Sequence, residues 1–120
     1  MTAANERKAG DPPPAPDCMD LRSIQSHIHN LCAYHEWDGN SAERIFMLLT
    51  EEVGEVAKAL RRLTNTQHQL SDPQKLRDDL GEELADCLMY LADLANHFDV
   101  DLEQAYRRKT VKNSDRVWTE

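Results

Sequence analysis

Two pairs of acidic residues have the spacing that lets carboxylates bind a divalent cation. Glu52 and Glu55 form the first pair and Glu83 and Asp86 the second, each in a segment with helical periodicity. On a helix this spacing brings the β-carbons to about 5–6 Å, so the two carboxylates can share one ion or hold adjacent ions. If the two helices pack side by side, all four residues converge as candidate metal ligands and catalytic residues. Oxygen donors without histidine or thiolate favour Mg²⁺, with Mn²⁺ as a substitute, over zinc.

Glu52 occupies a position where the helical pattern calls for an apolar side chain. It falls near the middle of an apolar stripe that consists of Ile45, Leu48, Leu49, Val53, Val56, Leu60 and Leu63. An unpaired carboxylate in such surroundings is costly, and a bound cation would offset the cost. The alternative is a solvated acidic face. Because Mg²⁺ keeps several waters and shares its shell with phosphate oxygens, the metal interpretation predicts a phosphate-ester or polyphosphate substrate.

A third group combines two cations and an amide on one face of the last helical segment. Lys109, Asn113 and Arg116 are spaced i, i+4 and i+7 in "YRRKTVKNSDRVW". Such a face can hold phosphates and contact a base or sugar, so all three are candidate substrate-binding residues. The alternative interpretation is electrostatic, because cations near a helix C-terminus interact favourably with the helix dipole.

Four helices must position these groups, so the sequence predicts an all-α domain. The first begins near Asp20 and ends around "WDGN" at residues 37–40, where turn-forming residues cluster. The second begins at Asn40 or Ser41, with Glu43 placed as in a capping box, and continues to about residue 64. No segment of useful length has the period of two that a half-buried strand requires.

The third and fourth predicted helices begin at recognisable caps. Asp72 followed by Pro73 starts a helix that continues to about His97, and Asp101, with Gln104 three residues later, starts the last one. The third helix is apolar on two faces, a larger one of Leu80, Leu84, Cys87, Leu88, Leu91, Leu94, Ala95 and Phe98 and a smaller one of Ala85, Met89 and Ala92. A chain this short covers only one of them well, so we expect a homodimer or a homotetramer.

Composition limits the remaining classes of protein. Residues 1–18 end near the closely spaced prolines of "DPPPAPD" and are predicted to be a disordered tail ahead of an all-α domain at residues 19–120. The formal charge of −8 and the pI near 5.0 disfavour nucleic-acid binding. No apolar run is long enough to span a bilayer, and no secretory signal is apparent, so membrane association is not expected. The three cysteines lack C-x-x-C spacing, which predicts reduced thiols in the cytoplasm.

The order "EEVGE", "EELAD" and "DLEQAYRRKTVKN" resembles the all-α nucleoside triphosphate pyrophosphatases, the superfamily of MazG-like proteins, dCTP pyrophosphatases and dimeric dUTPases. Their signature is E-x-x-E, a spacer and E-x-x-D, which Glu52, Glu55, Glu83 and Asp86 match. The resemblance covers about residues 20–117 and implies a four-helix MazG-like bundle completed by oligomerisation. It also implies Mg²⁺-dependent hydrolysis of a nucleoside triphosphate to the monophosphate and pyrophosphate, in the house-cleaning of nucleotide pools.

The resemblance implies roles for further residues. Tyr90, four residues after Asp86, would stack on the nucleotide or donate a hydrogen bond to it. Trp37 would pack against the base, or alternatively closes the end of the bundle. Lys109 would hold a phosphate, and Asn113 would bond phosphate or sugar. A competing function is a non-catalytic helical interaction module that retains the MazG-like fold. Loss of a motif carboxylate would favour that alternative, and none is lost.

Overall fold

Four helices account for most of the chain between residues 10–65 and 72–116, which are the residues that the computed structural model describes. They are α1 (Leu21–Tyr34), α2 (Ala42–Thr64), α3 (Pro73–His97) and α4 (Leu102–Ser114). No strand occurs within these ranges, so the predicted all-α fold is confirmed. None of the described helices is both long and apolar enough to cross a membrane.

Each helix begins at a side chain that accepts a hydrogen bond from the first turn. Asp72 and Asp101 cap α3 and α4, as the sequence predicted, and Asp20 caps α1. At α2 the predicted capping box is wrong, because Ser41 is the cap instead of Asn40. The Ser41 hydroxyl accepts from the backbone N–H of Arg44 at 3.2 Å, which leaves Glu43 at the second helical position instead of the third.

α1 ends at Tyr34, a few residues earlier than predicted, because the chain closes it with a Schellman motif. Glu36 adopts a left-handed backbone conformation with φ of 59°. The Trp37 N–H donates to the Cys32 carbonyl at 2.8 Å, and the Glu36 N–H donates to the Ala33 carbonyl at 3.3 Å. These two bonds satisfy carbonyls at the helix end and turn the chain away from the helix axis. The turn places Trp37 beside the end of α1, four residues ahead of the α2 cap.

α2 and α3 run antiparallel and make the most extensive helix contact, while α1 packs against α3. The centre of the α1–α3 contact consists of Ile28, Cys32 and the fully buried Ala92. Ala92 belongs to the smaller of the two predicted apolar faces of α3. Its small side chain permits the close approach of α1, whereas Ala85 and Met89 of the same face stay exposed.

The larger apolar face of α3 stays partly open to solvent in a single chain. Leu84, Leu91 and Phe98 are 51%, 45% and 64% exposed. The predicted stripe of α2 divides in the same way: Ile45 is buried, Leu48, Leu49, Val56 and Leu63 are half-buried, and Val53 and Leu60 are exposed. Large exposed apolar patches are uncommon on soluble monomers, so the predicted oligomerisation stays a prediction that this surface is compatible with.

α4 makes its main contact with α1, and a polar network holds it there. The Gln25 Nε2 donates to Asn96 Oδ1 at 3.1 Å and to the Val100 carbonyl at 2.7 Å, while its Oε1 accepts from the Leu102 N–H at 2.9 Å. The Asn96 Nδ2 donates back to the Gln25 carbonyl at 2.8 Å. One side chain of α1 therefore fixes the turn that leads into α4.

The segment before α1 contains no helix from residue 10 to residue 20. Two side chains of α1 donate to its backbone: His27 Nε2 donates to the Pro13 carbonyl at 3.1 Å, and the Tyr34 hydroxyl donates to the Gly10 carbonyl. Half of the predicted disordered tail, residues 1–9, lies outside the described residues. Disorder of residues 1–18 and the domain boundary after them stay predictions.

Candidate metal centre and adjoining cavities

Three carboxylates converge where α2 crosses α3. One oxygen each of Glu52, Glu83 and Asp86 lies within 4.8 Å of the others, and all three residues are half-buried. Glu83 and Asp86 are one turn apart on α3, and Glu52 faces them from the middle of α2. The sequence pattern anticipated this convergence of the two helices for these three residues, which we call the carboxylate trio.

The pKa of Glu52 lies above its ordinary value. Burial raises the pKa of Glu52, the charge of Asp86 raises it further, and so do a hydrogen bond with Glu83 and the charges of Glu83 and Glu55. The donors are exclusively oxygen, partly withdrawn from water and of one charge. These properties fit a hard divalent cation such as Mg²⁺, because the ion would remove the repulsion that the three groups impose on one another.

Glu55 lies outside the carboxylate trio in this arrangement. Its side chain is exposed and lines a small cavity of about 120 Å³ together with Glu83, Lys58 and Arg62. Residues three apart on a helix differ in direction by about 60°, so Glu55 points past α3 when Glu52 points at it. Its charge nevertheless acts on Glu52, whose pKa it raises.

A larger cavity of about 540 Å³ opens on the other side of the trio, with Glu52 and Asp86 in its wall. Apolar side chains from three helices supply much of its surface, among them Ile28, Leu31, Leu48 and Met89. Because α2 and α3 are antiparallel, the start of α2 lies beside the end of α3. These two helix ends enclose the larger cavity. The trio therefore lies between a spacious apolar cavity and a small charged one.

Both predicted aromatic residues line the larger cavity. Trp37 is 53% exposed and stacks on His35, with ring centroids 4.2 Å apart and an interplanar angle of 17°. Tyr90 follows Asp86 by one turn, and burial together with the charges of Glu52 and Asp86 raises its pKa. Tyr90 accordingly keeps its proton and can donate a hydrogen bond inside the cavity.

The predicted substrate-binding residues Lys109 and Asn113 lie on α4, but Arg116 follows the end of that helix at Ser114, so the prediction of one helical face for all three is wrong for Arg116. None of the three lines either cavity in a single chain. Lys109 and Arg116 are exposed, and the Asn113 Oδ1 is buried with no hydrogen-bond partner in the described part of the chain. α4 is held against α1, and the roles predicted for these three residues in substrate binding stay predictions.

Sequence reasoning missed several polar residues of the larger cavity, namely Asn40, Arg44 and Asp93. The sequence spacing of two of these residues relative to the trio could have indicated their position. Arg44 precedes Glu52 by eight residues, and Asp93 follows Asp86 by seven. An interval of seven residues returns to within about 20° of the same direction on a helix and an interval of eight to within about 80°, so Asp93, and less directly Arg44, could have been placed near the face of the trio.

Comparison with known proteins identifies the class of fold and site. Residues 40–118 match the MazG nucleotide pyrophosphohydrolase domain, a span that includes the whole carboxylate trio. Mouse (Mus musculus) dCTP pyrophosphatase 1 is 32% identical over 105 residues, covering 86% of this chain and 60% of that protein. The Gene 37 protein of Mycobacterium phage L5 is 35% identical over 72 residues, covering 60% of this chain and 62% of that protein.

The chain thus spans about three fifths of the length of each of these two relatives. The family match covers more than half of the chain and reaches from the start of α2 through α4. The resemblance inferred from the sequence is confirmed, and the chain belongs to the MazG nucleotide pyrophosphohydrolase family.

Proposed function

We propose that this chain hydrolyses a nucleoside triphosphate to the monophosphate and pyrophosphate, with Mg²⁺ as its cofactor, and so removes nucleotides from the cellular pool. The observation that carries the proposal is the carboxylate trio, which lies between a cavity large enough for a nucleoside and a smaller one where two cations, Lys58 and Arg62, lie among four carboxylates. The family match supports nucleotide pyrophosphohydrolase chemistry.

The two cavities suggest how the substrate is oriented. The nucleoside would occupy the larger cavity, with Trp37 and Tyr90 against its base and sugar. The β- and γ-phosphates would extend past the trio toward Lys58 and Arg62, which line the small cavity. This orientation brings the bond to be broken close to Glu52, Glu83 and Asp86.

Each group of residues then has a defined task. The trio would hold Mg²⁺, together with Glu55 on the next turn of α2. When bound, Mg²⁺ supplies charge neutralisation and a water of lowered pKa. Tyr90 orients the nucleotide by donating from its hydroxyl, and the apolar wall excludes water from around the base. Lys58 and Arg62 bind the departing pyrophosphate through its negative charge.

We further propose that the active form is a homodimer or a homotetramer. The exposed apolar side chains of α2 and α3 would form its interface. Lys109, Asn113 and Arg116, which do not line this chain's own cavities, would then act on the substrate of a second copy. Size-exclusion chromatography with light scattering at micromolar concentration tests this, because a clean 14 kDa monomer would contradict it.

Phosphorus NMR of the products tests the proposed reaction. Wild-type protein would be incubated with Mg²⁺ and each of a panel of natural and modified nucleoside triphosphates. The proposal predicts pyrophosphate and nucleoside monophosphate as the only phosphorus products for at least one of them. Orthophosphate in place of pyrophosphate would contradict it, and turnover of none would favour the alternative, a non-catalytic interaction module that retains the fold.

A further inference from the structure

Trp37, which the proposed reaction places against the base, belongs to a stack of aromatic side chains at the end of α1. Its indole ring stacks on the His35 imidazole, with ring centroids 4.2 Å apart and an interplanar angle of 17°. The Tyr34 ring meets His35 edge-on, with centroids 4.9 Å apart and an interplanar angle of 87°. Three rings in contact therefore connect α1 to the wall of the larger cavity, which Trp37 lines.

The backbone of this turn brings the two stacked rings together. Glu36 lies between His35 and Trp37 and has a left-handed φ of 59°. The Trp37 N–H donates to the Cys32 carbonyl at 2.8 Å, and the Trp37 carbonyl accepts from the Asn40 N–H at 3.2 Å. The main chain of Trp37 is thus fixed on both sides, whereas the residue is 53% exposed. Within the described residues the stack on His35 is its only ring contact, so loss of His35 would leave the indole without an aromatic neighbour.

The segment before α1 supports the stack from its other end. The Tyr34 hydroxyl donates to the Gly10 carbonyl, and His27, two turns earlier on α1, donates to the Pro13 carbonyl at 3.1 Å. Pro13 and Pro16 are half-buried beside α1. Proline fixes its own φ, so this segment loses less backbone freedom when it lies along the helix. Tyr34 is therefore restrained at its hydroxyl as well as at its ring.

We propose that His35 is a positioning residue for Trp37, with Tyr34 and the segment at residues 10–17 as its support. The inference rests on the proposed function for the contact between Trp37 and the base. An indole ring has two faces: His35 covers one, and the other remains for the flat base of a nucleotide. Because His35 does not itself line the cavity, its effect on the substrate passes through Trp37. An indole that is held in place before the substrate arrives avoids the entropy cost of ordering it upon binding.

Steady-state kinetics of the full chain, with Mg²⁺ and a nucleoside triphosphate that wild type hydrolyses, tests the role of His35. His35→Ala should raise KM by about 2- to 10-fold, the worth of ordering one side chain, and leave kcat unchanged. His35→Phe should restore the wild-type KM, because phenylalanine keeps a flat ring and has no ring nitrogen. Tyr34→Phe loses only the hydrogen bond to Gly10 and should raise KM less than His35→Ala does.

His29→Ala is the matched control for these kinetics. His29 is also an exposed histidine of α1, but it lies outside the larger cavity and outside the stack. The control should keep the wild-type KM and kcat.

Fluorescence of Trp37 measures its positioning without any turnover. The chain has two tryptophans, so Trp37 is the only one in a Trp118→Phe background, which serves as the reference protein. Time-resolved anisotropy then reports how freely the indole moves on the nanosecond scale. The fast local component should grow in His35→Ala and return to the reference value in His35→Phe.

The two measurements separate failure of this inference from failure of the proposed function. A more mobile indole in His35→Ala, with no triphosphate hydrolysed by wild type, would support the positioning of Trp37 by His35 and contradict the proposed function. An unchanged anisotropy decay in His35→Ala would overturn the inference, and so would a wild-type KM in an active His35→Ala. Equal behaviour of His35→Phe and His35→Ala in both measurements would overturn the role of ring stacking.

Discussion

Replacement of Glu52 by glutamine tests whether the carboxylate trio is built for a cation. Glu52→Gln keeps the shape of the side chain and removes one of three negative charges whose oxygens lie within 4.8 Å of each other. Each pair of charges at that separation repels by about 1 kcal/mol in surroundings as polar as water. The substitution removes two such pairs, so in EDTA the variant should be as stable as wild type or more so, by about 1–2 kcal/mol.

At saturating Mg²⁺, wild type should become more stable than Glu52→Gln. A ligand present at 100 times its Kd adds about 2.7 kcal/mol to the stability of the folded state. Wild type should gain an amount of that order at saturating Mg²⁺, and Glu52→Gln should gain clearly less because it has lost one ligand charge. At about 4 °C per kcal/mol for a domain of this size, these differences amount to several degrees in Tm.

Thermal melts in EDTA and in millimolar Mg²⁺ measure both effects. Glu51→Gln is the matched control, because Glu51 is exposed, adjacent in sequence and outside the trio. It should gain as much from Mg²⁺ as wild type does. Equal stabilisation of wild type and Glu52→Gln by Mg²⁺ would refute the assignment of Glu52 to the metal site.

Four further predictions concern other parts of the fold and site. Gln25→Ala removes three hydrogen bonds that fix the turn into α4 and should lower the free energy of unfolding by about 2 kcal/mol in urea titrations; no loss would show that water replaces them. Glu36→Gly relieves a left-handed φ of 59° and should raise stability by about 0.5–1 kcal/mol, whereas a fall would contradict the strain. The pKa of Cys32 is about 11 in the folded protein and 9.0 in the unfolded chain, so the stabilising contribution of this thiol is complete below pH 9 and is lost as the pH rises toward 11. Wild type should therefore lose more stability between pH 9 and pH 11 than Cys32→Ser does. Lys58→Ala should weaken inhibition by pyrophosphate more than Arg61→Ala does, since Lys58 lines the small cavity and Arg61 does not, and equal effects would contradict the proposed substrate orientation.

Local sequence signals predicted the four helices, apart from the α2 capping box and the end of α1, and three of the four carboxylates expected to converge. The caps at Asp72 and Asp101 are formed by side chains within a few residues of the groups that they satisfy, so the sequence contains all the information needed. The members of the trio could also be predicted from the sequence, because helical periodicity determines which carboxylates share a helix face. A carboxylate in an apolar stripe, Glu52, located the point at which the two helices meet.

What the sequence could not provide is the relation between helices. Glu55 has the same spacing from Glu52 as Asp86 has from Glu83, yet only the α3 pair lies across the contact with α2 in the described structure. Asp93 lies in a cavity through the packing of α1 on α3, which no local pattern specifies. The placement of α4 depends on Gln25, whose partners are more than 70 residues away in sequence.

The most direct test of the central claim is the rate of pyrophosphate release at saturating Mg²⁺ by wild type, Glu52→Gln and Glu51→Gln, with folding of each checked by circular dichroism. If the carboxylate trio holds the catalytic cation, Glu52→Gln should lose about 100-fold or more in kcat while Glu51→Gln retains the wild-type rate. Full activity of folded Glu52→Gln would contradict the account.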